Sequence, residues 1–171
     1  MDKEYRNKEQ RQNIEEMSFD KNTGEKIKNS FERAGFKVRN TPLEGESFHL
    51  VLQTMKNEDM DTMEILQTKN SDIIVFTGTV YLSKGHHEKY RNFDDDKRKR
   101  FDEKLDELLK SMTDNYEVTE DERGFGVLIH DQIHVTELNT ESLQERYSNV
   151  NEPVVKVWNF FMDAFWDKIE I

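Results

Sequence analysis

Five histidines are the side chains of this sequence best suited to bind a transition metal: His49, His86, His87, His130 and His134. His130 and His134 have the spacing of a helical metal pair, but they flank the end of a predicted strand, and the chain has no HExxH motif. His86 and His87 follow a predicted strand that ends at Leu82, so we expect them in a loop. We interpret these imidazoles as surface residues and predict no metal site.

Acidic residues form the second set with potential for chemistry. Asp94, Asp95 and Asp96 offer the oxygen ligands that Mg2+ or Ca2+ prefers, but three adjacent side chains do not converge, and the ligand spacing of an EF-hand loop is missing. Their position before an apolar repeat predicts instead that they stabilise the start of a helix. The basic run at 97–100 is bracketed by acidic residues, which favours a solvated helix face with ion pairs over a phosphate site.

Recognised nucleophile and phosphate motifs are absent from the sequence. There is no cysteine, which excludes disulfides, thiolate zinc sites and cysteine nucleophiles. Neither a GxSxG elbow nor a GxxxxGKS/T or GxGxxG phosphate loop is present. The sequence therefore predicts a protein that is not an enzyme, with no cofactor and no catalytic residues. The alternative that stays open is a metal-dependent enzyme or regulator that uses His49, His86, His87, His130 and the aspartates at 94–96.

The elements that must position these residues follow from hydrophobic periodicity. Residues 72–82 have apolar side chains at both odd and even positions, so both faces of a strand would be apolar. They predict a central strand covered on both faces. Strands joined by hairpins favour an α+β fold, an antiparallel five-stranded sheet with packed helices, over a doubly wound nucleotide-binding fold. The predicted order is α-β-β-β-α-β-β-α. The helices are predicted at 20–35, 93–113 and about 140–167, and the strands at 46–55, 60–68, 72–82, 116–118 and 125–133.

Several residues mark particular backbone positions. Gly35 is expected in a left-handed conformation after the first helix, and residues 36–38 are expected to lead out of it. Gly78, inside the strongest strand, indicates a bulge or a close backbone approach. Residues 121–124 predict the turn of a hairpin. Pro153 should kink the last helix or split it in two.

Composition sets the class of protein. The chain has 171 residues, of which 36% are charged and 11% aromatic, and its net charge is −11. The aromatic residues can build a core, so we predict one folded domain at 19–171 preceded by a polar tail at 1–18, partly helical or disordered. Diffuse negative charge counts against nucleic-acid binding. No apolar run has the length of a membrane span, and the first residues lack a signal-peptide pattern, so we expect a cytoplasmic protein.

The last predicted helix is the most informative element. Its inner repeat, spaced alternately by four and three, consists of Leu143, Tyr147, Val150, Val154, Val157, Phe161 and Ala164. Further apolar residues fall partly outside that repeat, namely Val155, Trp158, Phe160, Met162 and Trp166. Residues 154–166 are therefore apolar nearly all round, which predicts cover by a second chain, a thick core helix being the alternative. The candidate interface residues are Val157, Trp158, Phe161, Phe165 and Trp166.

The order of elements and five segments resemble a family of uncharacterised, mostly archaeal proteins of unknown function that is assigned to the type III secretion chaperone-like fold. The segments are Ile27–Phe36, Phe48–Val51, Asp72–Leu82, Phe101–Leu109 and the closing aromatic helix, and the resemblance covers about residues 20–168. It implies a small dimeric scaffold that binds protein segments and carries over no catalytic residue. We therefore expect a non-enzymatic protein-interaction or chaperone-like module that acts as a homodimer and takes a protein or peptide client.

Overall fold

The chain has an α+β fold in which helices pack on one antiparallel sheet. The computed structural model describes residues 22–54 and 63–166. Its elements, in chain order, are α1 (residues 22–33), β1 (Phe36–Asn40), β2 (Glu46–Thr54), β3 (Met63–Thr68), β4 (Ile73–Tyr81), α2 (Lys84–Arg91), α3 (Asp95–Lys110), β5 (Tyr116–Asp121), β6 (Gly124–His134), a 3-10 turn (Val135–Glu137) and α4 (Thr140–Phe165). The predicted tail at 1–18 and the turn between β2 and β3 lie outside the described residues.

The sheet has six strands among the described residues, in the order β1-β2-β3-β4-β6-β5, and all neighbouring strands are antiparallel. The prediction of five strands is wrong because β1 forms from the segment that was expected to lead out of the first helix. In the β1–β2 ladder, Val38 lies opposite Leu52. Val38 is the only buried residue of β1, so the segment has little strand signal of its own. Pairing with β2 makes it a strand.

The order of helices also differs from the prediction, because α2 occupies the segment that was expected to be a loop. The observed order is α-β-β-β-β-α-α-β-β-α. The hydroxyl oxygen of Ser83 caps α2 by accepting a hydrogen bond from the backbone N–H of His86 at 3.3 Å. Tyr90 is its one buried residue. His86 and His87 are therefore helical residues, and a helix with a single buried residue shows no apolar stripe in the sequence.

The strand β4 lies inside the sheet, as predicted, but only one of its faces is buried. Ile74, Phe76, Gly78 and Val80 are buried beneath the helices, and the alternate residues are half-buried. At Gly78 the helix α4 comes so close that an added Cβ would lie 2.7 Å from a Val154 methyl group. Gly78 therefore marks a close approach between strand and helix, one of the two outcomes predicted for it.

Two local backbone predictions are confirmed. Gly35 has a φ of +92° just after α1, a conformation that L side chains rarely adopt. The strands β5 and β6 form a hairpin in which Asp121 lies opposite Gly124. Gly124 has a φ of +121°, so both turns depend on glycine.

The core joins the helices to the sheet through an aromatic cluster around Phe101 of α3, which is fully buried. The ring centroid of Phe101 lies 5.3 Å from that of Tyr90, 5.9 Å from Phe125 and 5.7 Å from Phe165. These rings come from α2, α3, β6 and α4. Aromatic rings from four elements therefore pack together at this point of the core.

No described helix is long and apolar enough to cross a membrane.

Candidate functional site

The helix α4 is positioned by a strong N-terminal cap. The side-chain oxygen of Asn139 accepts hydrogen bonds from the backbone N–H groups of Glu141 and Ser142, both at 3.0 Å. The hydroxyl of Ser142 in turn accepts from the backbone N–H of Asn139 at 2.9 Å, which completes a capping box. From this cap α4 runs for 26 residues through Pro153 as one helix, so the predicted split does not occur.

The five predicted interface residues divide into two groups. Val157, Phe161 and Phe165 are buried in the chain's own core. The side chains of Trp158 and Trp166 are 37% and 58% exposed. The sheet and the other helices therefore enclose the inner face of α4, and the two tryptophans lie outside that enclosed face.

Three exposed apolar side chains and the half-buried Met162 form a line along α4 and its C-terminal cap, which we call the outer stripe: Val155, Trp158, Met162 and Trp166. Their spacings of three, four and four place them within an arc of about 80° on a helix that turns about 100° per residue. Val155 is 45% exposed, and Met162 is half-buried. Among the described residues, five large hydrophobic side chains are exposed, and three of them belong to this stripe.

The outer stripe is also uncharged. Ser148, Asn151 and Asn159 continue it or border it on the same side of α4 and carry no charge, and Glu152, three residues before Val155, is the charged residue next to them. In a chain with 36% charged residues, a surface helix is expected to present lysine and glutamate there. Aromatic residues and methionine with few charges are typical of the centre of a protein interface.

A second feature of α4 lies on another side of the helix, where Asp131 of β6 meets polar residues. Asp131 is only 8% exposed. Its Oδ2 accepts a hydrogen bond from the side-chain amide of Asn149 at 2.8 Å and from Nη1 of Arg146 at 3.2 Å. Its Oδ1 accepts from the backbone N–H of Gln132 at 2.7 Å. The carboxylate is thus paired and hydrogen-bonded, as a buried charge must be.

Asp131, Arg146 and Asn149 line a cleft of about 500 Å3 between the end of α3, the strand β6 and α4. The lining is mostly polar and includes Ser111, Thr113, Asn149, Glu152 and Lys156, with Met112 and Pro153 as its apolar members. A volume of this size suits a small ligand. Asp131, Arg146 and Asn149 were not among the predicted site residues, although Asp131 interrupts an inward apolar alternation of Val127, Ile129 and Ile133.

Three of the predicted metal-ligand candidates are held in separate places. His49, on β2, lies between two carboxylates, with Glu46 at 3.1 Å and Glu64 at 3.2 Å from its ring nitrogens. The ring of His86 stacks on Phe165 at a centroid distance of 4.9 Å. His87 contacts Glu120 of β5 at 3.0 Å, and the hydrogen bond from His87 holds the pKa of that carboxyl below its usual value.

The remaining metal-ligand candidates do not form a group with these three histidines. His130 lies on β6 and lines the polar cleft. Asp94 caps α3 by accepting from the backbone N–H of Lys97 at 2.7 Å, and Asp95 and Asp96 lie in the first turn, as predicted. Within residues 22–54 and 63–166, no group of three or more histidine, aspartate or glutamate side chains is arranged to hold a metal ion.

Comparisons with known proteins identify a family. No curated protein matches this chain. A crystal structure of an uncharacterized protein from Methanothermobacter thermautotrophicus is similar, with 24% sequence identity and a TM-score of 0.69 over 82% of this chain and 97% of that one, a likeness that shows the fold alone. Residues 23–162 match the family described as "Uncharacterized conserved protein (DUF2299)". The chain therefore belongs to the DUF2299 family of uncharacterized conserved proteins.

Proposed function

We propose that this protein is a non-enzymatic protein-interaction module that acts as a homodimer through the outer stripe of α4. The observation that carries the proposal is the exposure of Val155, Trp158 and Trp166 in one uncharged line. A continuous exposed apolar patch with a polar border often marks a surface that another protein covers. Tryptophan is also among the residues that most often contribute binding energy at interfaces.

A second copy of the chain is the occupant that the charges favour. Each copy has a net charge of −11, so two copies repel each other wherever charged surfaces meet. A two-fold interface uses the same patch on both subunits, and an uncharged patch avoids that repulsion. Two antiparallel α4 helices would place Trp158 of one copy beside the stripe of the other.

The size of the stripe sets the expected strength of the dimer. The exposed parts of its side chains amount to roughly 300 Å2 per subunit, about one whole tryptophan and part of a valine. Stable interfaces bury about 800 Å2 per partner. We therefore expect the stripe to be the centre of a weak dimer with a dissociation constant in the micromolar range.

The proposal extends to a chaperone-like role in the cytoplasm. Its support is the resemblance of the sequence to the type III secretion chaperone-like fold, whose members hold extended segments of other proteins. An extended protein or peptide client could add to an edge of the sheet, at β1 or β5. The metal-dependent alternative has no comparable support, because His49, His86 and His87 are each engaged with different neighbours.

The test is the mass of the particle in solution. Light scattering after size-exclusion chromatography, across the micromolar range, should show a species that approaches twice 20.5 kDa as the concentration rises. The double variant Trp158→Lys and Trp166→Lys should remain at the monomer mass with an unchanged circular dichroism spectrum. A double variant at the exposed hydrophobic residues outside the stripe, Leu43→Lys and Val118→Lys, should dimerise like the wild type.

Two results would overturn the proposal: a wild-type monomer at every concentration, or a dimer that the tryptophan variant does not weaken. Phe161 and Phe165 are unsuitable for this test, because both are buried. A charge at either position would unfold the subunit rather than separate a dimer.

A further inference from the structure

Asp131 is the residue of the fold whose placement most needs a reason. It occupies the buried face of β6 between Ile129 and Ile133, directly across the ladder from Phe76, and all three neighbours are almost fully buried. A hydrophobic residue there would continue the core. A buried ion pair of this kind often adds nothing to stability over an apolar pair of similar volume. Violations of the local pattern are expected at functional sites.

Each of the two side-chain partners of Asp131 has a hydrogen-bonding group that lacks its usual partner. Nη1 of Arg146 donates a hydrogen bond to Asp131, and its Nε–H is buried without an acceptor among the described residues. Pro153 has no N–H, so the backbone carbonyl of Asn149, four residues earlier, lacks its usual helical donor. Both groups belong to residues that line the cleft. One is a cationic donor and the other a neutral acceptor.

The charges of the cleft are balanced in a chain that is otherwise strongly acidic. Arg146 and Lys156 are cationic, Asp131 and Glu152 are anionic, and all four line the cleft. Along α4 the two cations are ten residues apart, about 15 Å, and Glu152 lies between them. A cleft with both signs of charge and little apolar lining is complementary to a small dipolar molecule. It is not complementary to a lipid or to a simple ion.

We propose that this cleft binds a small hydrophilic zwitterion with a carboxylate and an ammonium group, such as a free polar amino acid. Arg146 would bind the carboxylate, and Glu152 would bind the ammonium group. Asp131 positions Arg146 and Asn149. The cleft borders the outer stripe, since Ser148 lines the cleft and continues the stripe, but neither tryptophan lines the cleft.

The experiment is a titration of the full chain with individual polar amino acids, followed by calorimetry and by backbone amide NMR. L-glutamine is the first probe. At least one polar amino acid should bind saturably, with a dissociation constant in the millimolar range or lower, and should shift the amide resonances of residues 146–156. Glutarate, which has only carboxylates, and 1,4-diaminobutane, which has only ammonium groups, should bind about tenfold more weakly, a difference of about 1.4 kcal/mol. Equal binding of either probe would overturn the proposal, as would no binding of any polar amino acid.

A matched pair of variants locates the site. Glu152→Gln removes the carboxylate that would bind the ammonium group, and it should weaken binding about tenfold without loss of fold, because Glu152 is exposed. Glu32→Gln makes the same change on the exposed side of α1 and should bind like the wild type. Equal affinity of the two variants would contradict the assignment. The tryptophan variant of the dimer should bind normally, which separates this test from that of the proposed function.

Discussion

At the scale of single residues, His86 connects a titratable group to the packing of the core. Its ring stacks on Phe165, and burial, followed by the nearby charge of Lys89, lowers the pKa of His86 below the ordinary value of 6.5. The unfolded chain therefore takes up this proton at a higher pH than the folded chain. The stabilising contribution of neutral His86 is complete above pH 6.5 and is lost as the pH falls towards the lowered pKa.

We expect the substitution His86→Phe to remove that part of the pH dependence. The ring still stacks on Phe165 but cannot be protonated, so the variant should lose less free energy of unfolding than the wild type between about pH 7 and pH 5. Urea denaturation at several pH values measures the difference. All other titrating groups are the same in the two proteins, so their contributions to the pH dependence cancel in the comparison. A variant as acid-sensitive as the wild type would show that His86 contributes nothing to this dependence.

Asp131 shows what residue types alone can indicate. The alternation of Val127, Ile129 and Ile133 identifies an inward face, and a carboxylate on that face is visible in the sequence as an exception. Its partners Arg146 and Asn149 are not visible, since they lie fifteen and eighteen residues away on another element. The exception was predictable, and the cleft around it was not.

At the scale of elements, the contact between β4 and α4 depends on a single glycine. A Cβ at Gly78 would lie 2.7 Å and 2.9 Å from methyl groups of Val154 and Val150, closer than carbon atoms pack. The helix and the strand meet on both sides of this point. Because interiors pack densely and have little room to adjust, one methyl group should displace the helix.

The substitution Gly78→Ala should therefore destabilise the fold by about 1–3 kcal/mol, as measured by chemical denaturation. Adding Val154→Ala, which removes the nearer methyl group, should recover part of the loss. Gly85→Ala is the matched control, since a Cβ there meets no atom within 4 Å in the helix α2. The control substitution should raise the free energy of unfolding by up to about 1 kcal/mol. If both alanine variants behave alike, the close approach at Gly78 is not what limits this packing.

The elements that differ from the prediction share one physical property. β1 and α2 each bury a single side chain, Val38 and Tyr90. Periodicity detects an element only when several buried residues repeat on one face. By contrast, β4 and α3 bury repeated faces and were predicted within two or three residues of their ends.

At the scale of the whole molecule, the net charge of −11 opposes self-association. Two acidic subunits repel each other over a distance of about 10 Å at 0.1 M salt, and higher salt screens that repulsion. An apolar, uncharged contact is not weakened by screening. The proposed dimer should consequently become tighter as salt is added.

Sedimentation velocity at about 0.05 M and about 0.5 M sodium chloride checks this expectation, since the larger salt concentration reduces the screening length to a few ångströms. The dimer fraction should rise severalfold for the wild type. The variant with Trp158→Lys and Trp166→Lys should stay monomeric in both buffers. A dimer that dissociates on addition of salt would instead indicate ion pairs across the interface, and the outer stripe would not be its centre.

By itself the sequence determined the α+β class, the central strands and the apolar character of the last helix, because periods of two and 3.6 residues are local properties of the chain. Only the tertiary structure decided which side of that helix is covered. Val157 and Trp158 are adjacent and equally apolar in the sequence, yet the first is fully buried and the second is exposed. The reason is that burial depends on which elements pack against a face, and β4, β6 and α3 meet α4 on one side.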